Sequence, residues 1–402
     1  MTGVIGDPDL PPRLRAILDA EDPRFSDSEM ARRRAALEDA MAAAGVDHAV
    51  LYGAGWRGGA VAWLTHWPVT TEAVAVVTPG EPVALFIQYY NHVPQAKRIA
   101  RDCAVSWGGA ATARTVADAL HRRGAVNGRV GLVGPVPFAQ HAALAGVCRA
   151  AVDMNAAYTR LRLVKSAEEI DWLRIGATLS DMAIAALAAG LRPGLSEHAL
   201  ADLVERAYVP WGGTTGIHFF GVTPMRDPSL CVPAQIPSTR PVRRGDVVFC
   251  EISAAFRDYS GQVLRTFAVA EAPPSLYRDL HEVAARAFES IAAALRPGVR
   301  PEALVAAAAL IEEAGYSTCD DLVHGYGGGY LPPVVAMPGR PRAPLPDMTL
   351  EPGMMVVVQP NVITRDGRAG VQTGELMLVT EDGADSLHRA PRGLVRVDPR
   401  RD

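Results

Sequence analysis

The spacing of apolar positions along the chain changes period repeatedly. From Ser28 to Ala44, Ala, Leu and Met recur among Arg and Glu in a helical pattern, with Ser26 or Ser28 available as cap and Gly45 as terminator. Short β-prone runs follow at His48–Tyr52, Ala73–Thr78, Val83–Ile87 and Val130–Val133, and helical stretches are expected over about 113–123 and 137–149. Strands alternating with helices predict a small α/β domain, here residues 1–157.

The pattern shifts at 158. Ser166 followed by Glu169 is a capping box, so a helix starts there, with Ile170, Leu173, Ala177, Ile184 and Leu187 recurring on one face. Further helices are expected near 196–208, 275–295 and 301–315, and strands at Val247–Ser253, Val263–Ala270, Met354–Gln359 and Glu375–Thr380. These elements predict an α+β domain over residues 158–402.

Composition narrows the function. Of 402 residues, 49% are apolar, enough for a sizeable core. A net charge of −4 and a pI near 6.2 argue against a nucleic-acid or anionic-membrane partner. No run approaches the ~18 uninterrupted apolar residues of a membrane span. Met1–Arg15 mixes both charge signs with adjacent prolines and is not read as a signal peptide. Five scattered cysteines, Cys103, Cys148, Cys231, Cys250 and Cys319, suit a reducing cytoplasm.

Two glycine-rich runs invite a nucleotide reading and do not sustain it. Gly53-Ala-Gly55-Trp-Arg-Gly58 is followed by Pro68 instead of a long helix, so it is read as a turn. His324-Gly-Tyr-Gly-Gly-Gly-Tyr330 lacks the Gly-Lys-Ser/Thr ending of a phosphate loop; its glycines are expected to let the backbone pass close to a neighbour. Gly245–Phe267 reads as two strands joined by a turn, on which Glu251 and Gln262 can face one another.

Arg162–Ile170, Gly245–Phe267, His324–Gly327, Glu351–Gln359 and Gly370–Gly383, in that order and spacing, resemble the creatinase, prolidase and methionine aminopeptidase superfamily. The resemblance implies a smaller N-terminal α/β domain followed by a C-terminal pita-bread domain, and a homodimer. Metal-dependent members hold two divalent ions with Asp, Asp, His, Glu and Glu. Matched one by one, these fall on Glu251, Gln262, His324, Gln359 and Gly374, with Glu375 one residue late. Only His324 is retained. Neutral amides are weak ligands that cannot replace the lost charge, and a one-residue offset turns Glu375 to the other face of its strand. No metal and no cofactor is therefore expected. Creatinase and ectoine hydrolase cleave C–N bonds without metal, using an upstream His whose matching position here lies near Ala234 or Gln235.

The resulting expectation is a metal-independent C–N hydrolase on a small polar nitrogenous substrate. His324 is to move the proton and Glu251 to position water or a substrate cation. Gln262, Gln359 and Glu375 are to bind substrate. His218, in the Gly216–Gly221 segment, is a second possible proton carrier, or a histidine packed among aromatics. Tyr259, Tyr326 and Tyr330 are candidate wall residues. The resemblance adds His66 and Trp67, since the family's first domain can reach a neighbouring subunit's site. For Glu251 the competing reading is an ion pair with Arg265. Alternative functions are a lyase, a peptidase with one unusual metal, and a non-catalytic binding protein.

Overall fold

A computed structural model describes residues 6–55, 59–339 and 344–398. Residues 20–162 form one compact unit; the described residues up to Asp19 group with Leu163 onward in a second.

The first unit is built on a mixed six-stranded sheet. Its order is Cys103–Trp107, Val83–Ile87, Glu72–Val77, His48–Ala54, Arg129–Val133, Ala150–Asp153. His48–Ala54 pairs antiparallel with Glu72–Val77 and parallel with Arg129–Val133, so residues alternate between two cores, one on each face. The first long helix runs Asp27–Ala44. Ser26 Oγ accepts from the Glu29 N–H at 3.1 Å, and left-handed Gly45 closes it. Two strands went unforeseen, Cys103–Trp107 and Ala150–Asp153. Both lie at sheet edges with exposed positions, where alternation is weak. Trp56–Gly58 of the first glycine-rich run lie outside the described residues.

His66 and Trp67 both make contacts within this unit. The Phe25 N–H donates to His66 Nε2 at 3.3 Å and their rings are in contact, while Trp67 is buried in the core of one sheet face.

The second unit carries a ten-stranded sheet. Along it lie Leu331–Val335, Val323–Gly325, Met355–Val358, Gly374–Val379, Val263–Val269, Asp246–Phe256 and Thr214–Pro224. The two halves join where Val263 pairs with Glu375 and Leu264 with Gly374. The capping box is present at Ser166 and Glu169, opening the helix Ala167–Gly190. By length and composition this helix could cross a membrane. In the fold it is a core helix: Ser180 Oγ accepts from the Ala254 N–H at 3.0 Å and fixes it to the strand Asp246–Phe256.

Two sequence expectations need correction. The single helix over 301–315 is broken into Pro301–Ala307 and Leu310–Glu313, because the Ala-rich middle tightens into i→i−3 hydrogen bonds at Ala308, Ala309 and Ile311. The Gly216–Gly221 segment, where no strand was expected, belongs to the strand Thr214–Pro224, which pairs with Asp246–Phe256 with a register shift between Thr215 and Ile217.

Candidate active site

Register decides which side chains can meet. Leu264 stands opposite Glu251, and Glu251 opposite Phe219. Gln262, two residues before Leu264, therefore shares Glu251's face, whereas Arg265 and His218 point to the other. On the facing half of the sheet, His324 pairs with Val357, two residues from Gln359. Both sets converge where the two halves join.

Gln262 Nε2 donates to Glu251 Oε1 at 2.5 Å and to Gln359 Oε1 at 3.3 Å. Gln359 shares a hydrogen bond with His324, and His324 Nδ1 donates to the Gly325 carbonyl at 3.2 Å. An unbroken hydrogen-bonded chain thus joins the carboxylate to the imidazole. Gln262, Gln359 and His324 are buried, and Glu251 is half-buried. Tyr330 stacks on the His324 ring at 4.2 Å, and its hydroxyl donates to Asp321. Tyr326 meets the imidazole edge-on, and Ser260 Oγ donates to its hydroxyl at 3.0 Å. Gly325, between His324 and Tyr326, serves close approach: a Cβ there would lie 2.1 Å from the Pro332 carbonyl oxygen.

Burial sets the two protonation states. It pushes the Glu251 carboxyl up to about 7, helped by the negative charge of Asp320. It pushes His324 down to about 4, against smaller upward pulls from the Gly325 carbonyl, Asp321 and Gln359. At neutral pH His324 is an uncharged imidazole, and the Glu251 carboxyl is the group whose pKa lies there. The sequence reading assigns the proton to His324; these shifts put the group that titrates near neutrality at Glu251.

Other expected members are elsewhere. Glu375 is correctly read as turned away, and it is no substrate ligand. Arg265 pairs with it at 2.7 Å, Arg392 Nη2 lies at 2.9 Å, and Ser386 Oγ donates at 2.6 Å. Burial raises Glu375, but Arg265, Ser386 and Arg392 outweigh it and hold the carboxyl below its ordinary range. Arg265 is therefore not the partner of Glu251, a correction that follows from the register. Its remaining N–H groups go to the carbonyls of Leu264, Gly374, Ala390 and Pro391. His218 packs under the helix Glu197–Tyr208: Nε2 lies 2.8 Å from the Tyr208 hydroxyl and Nδ1 3.3 Å from Glu205. Its buried, aromatic setting is the packed alternative. Tyr259 donates to Glu169 at 2.9 Å and abuts Trp172, which makes it a tie between helix and sheet instead of a pocket wall.

Sequence reasoning missed three residues beside this group. Asp320 Oδ2 accepts from Asn361 Nδ2 at 2.7 Å and from Gln372 Nε2 at 3.4 Å. The signal lay in alternation: Asn361 is two residues past Gln359, and Gln372 two before Gly374.

These residues do not fit the divalent pair that the fold family implies. Gln262 points amide hydrogens, not a ligand oxygen, at Glu251. Glu375 is committed to arginines. Position 374 has no side chain, and a Cβ there would lie 2.4 Å from the Val358 carbonyl oxygen and 2.8 Å from Gln359 Cα. Among the described residues no group of three or more His, Cys, Asp and Glu side chains is arranged to hold a metal.

Comparison with known proteins gives a consistent picture of ancestry. The description of metallopeptidase family M24 matches residues 171–381. The chain is 27% identical over 330 residues to a Bacillus subtilis protein named uncharacterized peptidase YqhT, covering 81% of this chain and 90% of that one. It is 32% identical over 246 residues to the probable dipeptidase PepE of Mycobacterium bovis, covering 59% of this chain and 62% of that one. The fold matches the Xaa-Pro dipeptidase from Bacillus anthracis with a TM-score of 0.78 at 21% identity, over 91% of this chain and 99% of that one.

Proposed function

The chain belongs to metallopeptidase family M24, a family of hydrolases, and on that premise we propose that it hydrolyses a C–N bond of a small nitrogenous substrate with its own side chains and no metal pair. The observation that carries this reading is a half-buried carboxyl, Glu251, whose protonation changes near neutrality at the head of a hydrogen-bonded chain. As a carboxylate it takes a proton from water while the water oxygen bonds to the substrate carbon. As the C–N bond breaks, it returns that proton to the departing nitrogen. Gln262 holds one carboxylate oxygen and leaves the other for water. His324, uncharged, is a positioning group for Gln359 and substrate.

The test is metal dependence. Purified protein should contain far less than one equivalent of Mn, Co, Zn or Fe, and chelator should leave its melting temperature unchanged. Xaa-Pro dipeptides should not be turned over when Mn or Co is added. A second reading, a metal-dependent dipeptidase, is favoured by the names of the relatives; stoichiometric metal together with dipeptide turnover would establish it and remove the first. A lyase could use the same base, and water-derived ¹⁸O in the product distinguishes hydrolysis from elimination.

We further propose a cytoplasmic homodimer, supported by the scattered cysteines and by the family resemblance. Light scattering at micromolar concentration is expected to give twice 42.7 kDa; a single-chain mass would count against it.

A further inference from the structure

The amides around Glu251 and Asp320 are oriented alike. Each turns N–H toward a carboxylate, Gln262 to Glu251 and Gln372 to Asp320. Each is left with a carbonyl oxygen, Gln262 Oε1 and Gln372 Oε1, that is buried and has no hydrogen-bond partner among the described residues. Both side chains are 1% exposed, so bulk water does not serve these oxygens. One short segment links the two half-buried carboxyls: Gln359 accepts from the same Gln262 amide that donates to Glu251, and Asn361, two residues on, donates to Asp320. The main chain at Gln372 is pinned: its backbone N–H donates to Thr266 Oγ1 at 2.9 Å, and that hydroxyl donates back to the Gln372 backbone carbonyl at 2.9 Å.

We propose that Asp320 and Gln372, with Gln262 across from them, form a subsite for an organic cation bearing N–H donors, the ammonium or amidinium end of the substrate. This rests on the reading of the pocket as a substrate site and names what it selects. Orphaned carbonyl oxygens beside carboxylates call for a ligand that brings both positive charge and hydrogens. Arg265 does not serve an anion here, since it is spent on Glu375 and backbone carbonyls. A divalent metal finds too few charged oxygens, with amide hydrogens directed at both carboxylates. Asp320 and Gln372 are thus specificity-determining residues. Asn361 is a positioning residue that acts through Asp320.

The experiment is calorimetric titration of the full chain at pH 8 with ethylammonium, methylguanidinium, tetramethylammonium, acetate and Ca²⁺, each as a simple salt. One or both N–H cations should bind, and tetramethylammonium, which has the charge without the hydrogens, should bind at least tenfold more weakly. Asp320→Asn and Gln372→Met should each cost tenfold or more for the N–H cations. Tighter binding of Ca²⁺ or acetate overturns the proposal, as does equal binding of tetramethylammonium. If Gln372→Met lowers the melting temperature sharply, Asp320→Asn, which keeps the volume, decides alone. Loss of probe binding in Asp320→Asn with no C–N substrate turned over by the wild type would keep the subsite and sink the hydrolase. Turnover with an unchanged KM in a folded Asp320→Asn protein would do the reverse.

Discussion

Glu251→Gln is expected to lower turnover by about 10²–10⁴-fold, the usual contribution of a general acid–base group, and at the same time to raise the melting temperature at pH 8. The two effects have one cause. The folded protein holds this carboxyl at about 7, above the 4.5 of an ordinary Glu. Its stabilising contribution is complete below 4.5 and is lost as pH rises through 7. Above that, the charged carboxylate weighs against the fold by roughly 3 kcal/mol, at about 1.4 kcal/mol per pH unit of difference. Gln carries no charge and escapes this cost. His324 behaves oppositely: folded at about 4 against 6.5, its contribution is present above 6.5 and is lost as pH falls through 4. Between 4.5 and 6.5 the two slopes oppose each other in the wild type. Relative to the wild type, Glu251→Gln should therefore gain stability as pH rises across that window, and His324→Gln should lose it. The wild-type kcat/KM should rise with pH and level off above about 7. Melting curves from pH 4 to 9 on the three proteins check the stability claims. A folded Glu251→Gln protein with wild-type turnover, or a melting shift equal at pH 5 and pH 8, would refute the assignment.

The roles at this site show how far sequence alone reaches. The capping box at Ser166 and the strand Val83–Ile87 are local features, readable from a few neighbouring residues. The convergence of Glu251, Gln262, Gln359 and His324 was legible because family spacing marks those positions even after the residues have changed. Which of Glu251 and His324 titrates near neutrality was not, because that depends on how deeply each group is buried, and a neutral histidine and an ionised one are the same letter. The partner of Arg265 was not either: Glu251 and Glu375 both occupy apolar strands, and only the pairing of Leu264 with Glu251 sends Arg265 to the opposite face. Thr214–Pro224 escaped notice because Gly216 and Gly221 look like loop punctuation. A Cβ at 221 would meet the Phe249 ring at 2.0 Å, so that glycine is there for cross-strand packing. Asp320 was missed for a different reason. It lies outside every matched position, and its link to Asn361 and Gln372 spans 41 and 52 residues.

Reverting the ligands should not bring back a metal centre. Gln262→Asp combined with Gln359→Glu and Gly374→Glu is expected to unfold readily and to take up no stoichiometric Mn or Co. The obstacle is position 374. Contacts of 2.4 Å to a carbonyl oxygen and 2.8 Å to Gln359 Cα involve backbone, which no rotamer change relieves. Even Gly374→Ala must separate Gly374–Val379 from the Met355–Val358 hairpin partner where the two halves of the sheet join. That overpacking costs about 1–3 kcal/mol or more, a fall of several degrees in melting temperature at roughly 2–4 °C per kcal/mol for a domain this large. Moving the strand also disturbs Arg265, which donates to the Gly374 carbonyl at 2.9 Å while neutralising Glu375. The single variants Gln262→Asp and Gln359→Glu keep the backbone and serve as controls: each should fold, and each should push Glu251 still higher by adding a like charge beside it. Calorimetric melting and elemental analysis after dialysis against Mn²⁺ read both outcomes. A triple variant that melts with the wild type and holds two equivalents of metal would mean that the strands separate at little cost, and that the missing ligand is a change of side chain alone.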